Sequence, residues 1–478
     1  MVRWAVRAIP QLGLAEVGPG TMGVLAVREA PGRLDVSSPM PTPEPENTPQ
    51  DPFARLAELP TDQPCTLLVD CGVGRAGGLS DGRYGWASVG APPGVATFGA
   101  MLFASPVDVL EISAAEVAGA EVFARIDAFL REHEDRVVTG ALGYDLRDAV
   151  EPIERESEED FEVPVVHLQA HDSMEAFPER PVSDPEGELG SAVTPAPVLS
   201  AEAYQDLVAR TVESIRAGDI FQANLTQPFD GRFEGDPKRL FHELCHVSPA
   251  PFAAFVSTGT GTSILSSSPE EFLHRDGDVL RTRPIKGTRP RDEDPAVDER
   301  LRSELFESEK DRAELAMIVD LLRNDLGKVA EIGSVRWADF PEQASFAQVH
   351  HLFCTVTAQL RAGVTPAEIL RATFPCGSIT GAPKLRCMEI LEKLEIVRRG
   401  FYTGAIGVFG PGPTMHLNVA IRTMTLRDGR VRFNVGGGVT ADSDPVAEWR
   451  ETWDKAAGML RSFGAQSPIG GPRPGDGS

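Results

Sequence analysis

Thr403-Gly-Ala-Ile-Gly-Val-Phe409, Leu417-Asn-Val-Ala-Ile-Arg-Thr-Met-Thr425 and Val431-Arg-Phe-Asn-Val435 are apolar and β-branched runs separated by Gly, Pro and Asp. That pattern predicts three consecutive strands. Gly436-Gly-Gly438 follows at once, and then residues 447–463, whose apolar spacing predicts a helix. Working backward, strand signals recur at 252–257 and 263–267. Helices are predicted at 298–324, 365–374 and 384–395. Another amphipathic helix opens at Ser200, a hydroxyl N-cap with Glu202 close behind it. This order of strands and helices fits an α+β chain.

Toward the N-terminus the pattern thins. Residues 53–150 alternate short apolar runs such as Cys65-Thr-Leu-Leu-Val-Asp70 with Gly-rich turns, and read as strands with a few helices, one of them at 120–135. Residues 36–52 are rich in Pro, Ser, Thr and Glu and read as an exposed, flexible loop. Residues 150–198 carry many Glu, Asp and Pro around the apolar run 163–168. They read as one strand followed by a solvated acidic connection without a partner. The Gly- and Pro-rich residues 465–478 read as a disordered tail.

Of the 478 residues, 41% are hydrophobic, ample for a large core, and length alone suggests about two to four domains. The net charge of −25 argues against nucleic-acid binding, which needs clustered Lys and Arg. It leaves open a small anionic substrate held by local cations or a metal. The six cysteines show neither CxxC nor zinc spacing and fit a reducing compartment. No stretch approaches the ~18 apolar residues of a membrane helix, and the charged N-terminus does not resemble a signal peptide. The expectation is a cytoplasmic protein without membrane contact.

Four groups of residues carry possible chemistry. Asp311 and Glu314 lie three apart on one predicted helix, and Glu448 and Glu451 repeat the spacing on another. Facing each other, they could hold Mg²⁺, which takes oxygen ligands and leaves positions for substrate and water; apart, they are ordinary solvated helix faces. Gly377-Ser-Ile-Thr-Gly-Ala-Pro-Lys384 and Gly436-Gly-Gly438 are turns able to present backbone N–H groups to an anion. Pro284-Ile-Lys-Gly-Thr288 places Lys286 among apolar residues and Gly, where partial burial would lower its pKa and make it nucleophilic; otherwise it is a surface Lys in a turn. Ser267-Ser-Pro-Glu-Glu-Phe272 offers Glu270 as a general acid, or else a Pro-initiated helix start.

Together these strings resemble the chorismate-utilising enzymes, a group that includes anthranilate synthase component I, aminodeoxychorismate synthase component I, isochorismate synthase and salicylate synthase. The resemblance runs from about Ser200 to Leu460. It is carried by Gly218-Asp-Ile-Phe-Gln-Ala-Asn-Leu-Thr226, Asp320-Leu-Leu-Arg-Asn-Asp-Leu326, the 377–384 run and Gly436-Gly-Gly-Val-Thr-Ala-Asp-Ser443. Gly140-Ala-Leu-Gly-Tyr-Asp-Leu146 extends it more loosely into the N-terminal part. It implies an anthranilate synthase component I-like fold, two packed antiparallel sheets surrounded by helices. Residues 1–198 would form an N-terminal region and 199–464 the chorismate-binding region, the two interleaved in space.

The resemblance also implies roles. Glu314 and Glu451 look like Mg²⁺ ligands, supported by Asp311 and Glu448. Arg422 looks like a contact to a substrate carboxylate, and Lys455 like another cationic contact in the site. Thr288, His351, Thr380, Gly381, Tyr402, Gly436 and Gly438 would line the pocket. Gln222 stands where water-using members carry a Lys, which implies an amine-using enzyme. Lys286 resembles the Lys of the aminodeoxychorismate-forming branch, where anthranilate synthases resemble PIAGT. The implied reaction is attack by the Lys286 amine on C2 of chorismate, protonation of the departing C4 hydroxyl by Glu270, and displacement of the lysine by ammonia. The pyruvyl group is retained. Ammonia would come from a separate glutamine amidotransferase subunit, in a heterodimer. Cys376 departs from the pattern, standing where Gly is common. Anthranilate synthase component I is the alternative within the family, and a catalytically silent binding homologue the alternative outside catalysis.

Overall fold

A computed structural model of the chain describes residues 51–71, 86, 99–117, 121–177, 183–338, 340–346 and 349–465. The expected loop before residue 51 and the tail beyond residue 465 lie outside the described residues. Among those described, the strands form two large antiparallel sheets, of ten and nine strands, and a small third sheet of three. The third sheet was not expected.

Pleat alternation explains how the large sheets pack. In the strand Phe252–Ser257, Phe252, Ala254 and Val256 face one core, while Ala253 and Phe255 face another. The first core lies between the two sheets: Leu68, Phe103 and Ile264 from the ten-stranded sheet meet Ala141, Ile406 and Val408 from the nine-stranded one. Trp86 is buried in the same layer, edge-on to Phe252, with its indole N–H donating to Ala253 O at 2.7 Å. The outer face of the ten-stranded sheet is covered by the helices Pro237–Val247 and Pro445–Arg461. The outer face of the other is covered by Glu121–Glu132, Glu309–Gly327 and Pro366–Thr373. Strands from before and after residue 198 stand side by side: Cys65–Val69 pairs with Phe252–Ser257, and Val137–Leu142 with Ala405–Phe409.

Three expectations are corrected. The helix expected over 298–324 is two helices, Pro295–Glu307 and Glu309–Gly327. Ser308 is extended, ends the first helix, and caps the second by accepting from Asp311 N at 3.3 Å. The run 417–425 is two strands, Thr414–Val419 in the nine-stranded sheet and Thr423–Arg427 in the ten-stranded one. The chain crosses between sheets at 420–422, where Arg422 takes a φ of +50°. Finally, the acidic stretch before residue 163 has partners. Asp160 pairs with Arg430 and Arg432, Glu159 with Arg398, and Glu392 accepts from the backbone N–H groups of Glu156 and Ser157 at 3.0 and 2.9 Å. Two further strands, Glu175–Phe177 and Ser191–Pro197, follow Val166–His171 where a solvated connection was expected.

A second crossing lies beside the one at Arg422. Thr262–Ser268 belongs to the ten-stranded sheet and Glu271–Asp276 to the nine-stranded one, so Pro269 and Glu270 form the bridge, not a helix start. The two crossings are tied together: Ser267 N donates to Arg422 O at 3.0 Å, and Val419 N to Glu270 O at 3.0 Å. One acid and one cation are thereby fixed where the two sheets exchange strands.

Candidate active site

The described residues enclose a cavity of about 870 Å³ beside these crossings. All the residues singled out from the sequence line it except Gln222, Thr380 and Gly381, which stand in the wall behind. Gly381 pairs with Ala223 and Gln222 with Ala382, while Thr380 O accepts from Asn224 N at 2.9 Å. The volume is in the usual range for a small-molecule site.

Lys286 and Thr288 reach the cavity on the third sheet. The strand Ile285–Pro290 pairs with Val349–Phe353, which puts Thr288 opposite His351. Their side chains are hydrogen-bonded, Oγ1 to Nδ1, at 3.0 Å. Gly287 makes the close approach of the next helix possible. It has a φ of +78°, and a Cβ there would lie 2.8 Å from Leu305 and 2.9 Å from Asp311. That approach brings Glu314, one turn beyond Asp311, into the cavity wall near Lys286.

Burial pushes Lys286 and Glu270 each toward its uncharged form. The Lys286 amine donates to Ser378 O at 3.2 Å. Burial lowers its pKa, and the charges of Glu270 and Glu314 oppose that shift without cancelling it. Burial raises the pKa of Glu270, against the Ser378 hydroxyl, the Lys286 charge and the Ile285 N–H. Glu270 is 4% exposed, and its Oε1 has no hydrogen-bond partner among the described residues. An amine pushed toward its free base therefore faces a carboxyl pushed toward its acid form, the two protonation states a nucleophile and a general acid require.

Beside this pair is one cation without a carboxylate partner among the described residues, Arg422. No ion pair is formed by Arg422 among the described residues, and burial lowers its pKa. His351 is held near pH 3 by burial and by Arg422, so it is a neutral ring at working pH. An unpaired guanidinium on a cavity wall is a docking point for an anion. Lys455 donates to Glu451 Oε1 at 2.6 Å and to Gly436 O at 2.7 Å.

The carboxylates face this from two helices. Burial raises the pKa of Glu314 and of Glu448, and the neighbouring carboxylates add to it. Burial also works on Glu451, but the Lys455 ammonium outweighs it and the net shift is downward. Gly437 leaves room between the last two: a Cβ there would lie 2.9 Å from Glu448 Oε2 and 3.2 Å from Glu451 Oε1. Carboxylates are the oxygen donors a hard divalent cation takes, but those of Glu314, Glu448 and Glu451 do not converge to within 4.8 Å of one another in this structure. Asp311 stands apart from them, paired with Arg289 at 3.2 Å. The tight ligand cluster found among the described residues is a different one, Asp108, Glu132 and His133 at the surface.

Sequence reasoning missed Ser378 and Asn434, which also line the cavity. Ser378 lay within a quoted motif, and the expected backbone contacts drew attention to its neighbours. Asn434 carried no signal beyond its place in a strand. Cys376 Sγ is 3.3 Å from Ser378 Oγ, and burial pushes its thiol up to about 12, so it stays protonated.

Residues 96–461 match the family model described as chorismate binding enzyme. The chain belongs to the chorismate-binding enzyme family. Among curated members it is similar to aminodeoxychorismate synthase component 1 of Klebsiella aerogenes, 40% identical over 347 residues, covering 68% of this chain and 76% of that one. It is also similar to anthranilate synthase component 1 1 of Haloarcula marismortui, 43% identical over 281 residues, covering 59% of this chain and 57% of that one. The match to the first of these spans about three quarters of its length, and to the second only a little over half. A solved family structure, anthranilate synthase component I from Streptococcus pneumoniae TIGR4, superposes with a TM-score of 0.66 at 26% identity, covering 76% of this chain and 92% of that one. The fold of this chorismate-binding enzyme is thus the expected α+β one. The curated relatives carry both names, aminodeoxychorismate synthase and anthranilate synthase.

One glycine of the site gives a direct test. A Cβ on Gly438 would overlap the Gln222 amide nitrogen, and Gln222 is 2% exposed with its Oε1 unpartnered among the described residues. Gly438→Ala is expected to displace Gln222, costing about 1–3 kcal/mol of stability. It should also lower turnover about tenfold or more, as expected when a site group is moved by a fraction of an ångström. Thermal unfolding and steady-state kinetics measure the two effects.

Proposed function

We propose that this chorismate-binding enzyme joins chorismate and ammonia to give 4-amino-4-deoxychorismate. The observation that carries the reading is the Lys286 amine, half-buried in the cavity wall beside Glu270 with its pKa lowered. Arg422 and Lys455 receive the two carboxylates of chorismate. Lys286 Nζ attacks C2 of the ring, both ring double bonds shift along the diene, and the C4–O bond breaks. Glu270 gives its proton to the departing hydroxyl, which leaves as water. Ammonia then adds at C4, both double bonds shift back, and the C2–N bond to Lys286 breaks. The covalent step divides one difficult substitution into two easier ones. Gln222, with its unpaired buried Oε1, supplies an acceptor behind Gly438 instead of a basic amine that would activate water.

Glu314, Glu448 and Glu451 would hold Mg²⁺, which supplies neutralisation of the ring carboxylate when bound. The ammonia donor is proposed to be a separate glutamine amidotransferase subunit, and the setting the cytoplasm. No helix among the described residues is long and apolar enough to cross a membrane.

The test is product analysis by mass spectrometry after incubation with chorismate, Mg²⁺ and an ammonium salt at alkaline pH. An aminated product retaining the pyruvyl group, converted to para-aminobenzoate by an aminodeoxychorismate lyase, is expected. Anthranilate in its place would overturn the branch assignment. Absence of turnover, even with an amidotransferase, would overturn the enzymatic reading.

A further inference from the structure

The Gly140–Leu146 motif has no place in the reaction just described, yet Tyr144 within it is 3% exposed. Its ring lies between two guanidiniums, 4.5 Å from that of Arg399 and 5.1 Å from that of Arg147. Arg399 is itself buried and uses every N–H it has. Nε donates to Glu395 Oε2 at 2.8 Å. Nη2 donates to Glu395 Oε1 and to Asn224 O, each at 2.7 Å. Nη1 donates to Ile379 O at 3.1 Å and to Thr403 Oγ1 at 3.2 Å. Glu395 Oε1 also accepts from Thr226 N at 3.1 Å and Thr226 Oγ1 at 2.9 Å.

Neither Arg399 nor Glu395 lines the 870 Å³ cavity, but each segment they hold does. Asn224 and Ile379 are wall residues. Thr403, in a left-handed conformation at φ +62°, follows the wall residue Tyr402. Thr226 stands opposite Gly436, whose carbonyl receives Lys455. Asn224 and Thr226 share the strand Gln222–Glu234, whereas Ile379 and Thr403 come from two other parts of the chain. We propose that the buried Tyr144–Arg399–Glu395 assembly is the positioning element of the chorismate site. It sets the placement of the loop bearing Ser378 against the walls bearing Asn224, Tyr402 and Gly436. This rests on the proposed amination only in its kinetic readout; the placement itself concerns binding.

A planar fork with five donors does this, and an ammonium with three cannot. Arg399→Lys keeps the charge beside Glu395 and loses the geometry. It is expected to raise the KM for chorismate about tenfold and lower kcat by about 10²-fold, the scale of a 1 Å misplacement. The KM for ammonium should stay unchanged. Tyr144→Phe keeps the ring between the guanidiniums and should rescue activity to within about twofold of wild type, whereas Tyr144→Leu should follow Arg399→Lys. Thermal unfolding is recorded for each variant, so that rates refer to folded protein. If Arg399→Lys does not fold, Glu395→Gln and Tyr144→Leu carry the comparison.

Unchanged chorismate KM and kcat in the folded variants would overturn the proposal, as would equal losses in Tyr144→Phe and Tyr144→Leu. Calorimetric chorismate affinity in the presence of Mg²⁺ separates the two readings. A wild type that binds chorismate without aminating it sinks the proposed function, while weaker binding by Arg399→Lys still upholds the positioning role.

Discussion

On the proposed reaction, Lys286→Ala is expected to abolish amination, by about 10³-fold or more, while leaving chorismate affinity and thermal stability nearly unchanged, because the proposed nucleophile is removed and not a binding contact. Lys286→Arg should not restore the rate, since a guanidinium is never a free base at working pH. The pH dependence gives a sharper test. Lys286 is shifted down and Glu270 up, each mainly by burial and each opposed by the other's charge. Activity needs the free amine and the protonated acid, so kcat should be bell-shaped in pH for the coupled pair. In Glu270→Gln the acid is gone and kcat should fall by about 10²–10⁴-fold. The residual profile should become a single ascending limb, following loss of the Lys286 proton. Its midpoint should move to lower pH, because Glu270 is the foremost charge holding the Lys286 pKa up. A midpoint that stayed put would mean that the two groups do not sense each other.

Removal of divalent cation is the second large effect expected. A chelator should suppress turnover by about 10²-fold or more, with recovery on adding Mg²⁺, because the substrate's charge then lacks its neutralising partner. Stability provides a readout independent of chemistry. Glu314 and Glu448 have pKa values raised in the folded protein, so the fold binds protons more tightly than the unfolded chain does. Their contribution to stability is therefore favourable at low pH and lost as pH rises through the raised values. Mg²⁺ should reverse that loss and raise the midpoint of thermal unfolding most at neutral and alkaline pH. The increment should vanish in Glu314→Ala. An unfolding midpoint indifferent to Mg²⁺ at every pH would exclude these carboxylates as the metal site.

Much of this candidate site was legible because the residues that line the cavity sit in short contiguous strings. Pro284–Thr288, Ser267–Phe272 and the glycine turns keep polar groups, turn residues and strand ends close together in sequence. What was not legible is what depends on the third dimension. The crossing at Arg422 hides inside an unbroken β-type run, since changing sheets consumes only a few residues and the apolar pattern resumes at Thr423. Ser308 looked like one polar residue on a long helix, because its capping role depends on a backbone angle and not on composition. Glu395 and Arg399, four apart near a helix end, have the signature of an exposed ion pair, which is commonly of little energetic consequence. Only burial reveals otherwise. In the same way, Glu159 and Asp160 read as solvated charges because their arginines lie more than 200 positions downstream, at Arg398, Arg430 and Arg432.

The helix Pro445–Arg461 bears both Glu451 and Lys455, and the strand before it, Arg430–Val439, closes against Gln222–Glu234. During synthesis, then, the ribosome has delivered most of both sheets before either the carboxylate set or the cavity can exist. Strands such as Gln222–Glu234 must wait with an open edge for partners some 200 residues younger, and pairing over such distances is slow. Until the segment carrying Glu451 and Lys455 has been made, the chain lacks one wall of the cavity and the strand that pairs with Gln222–Glu234.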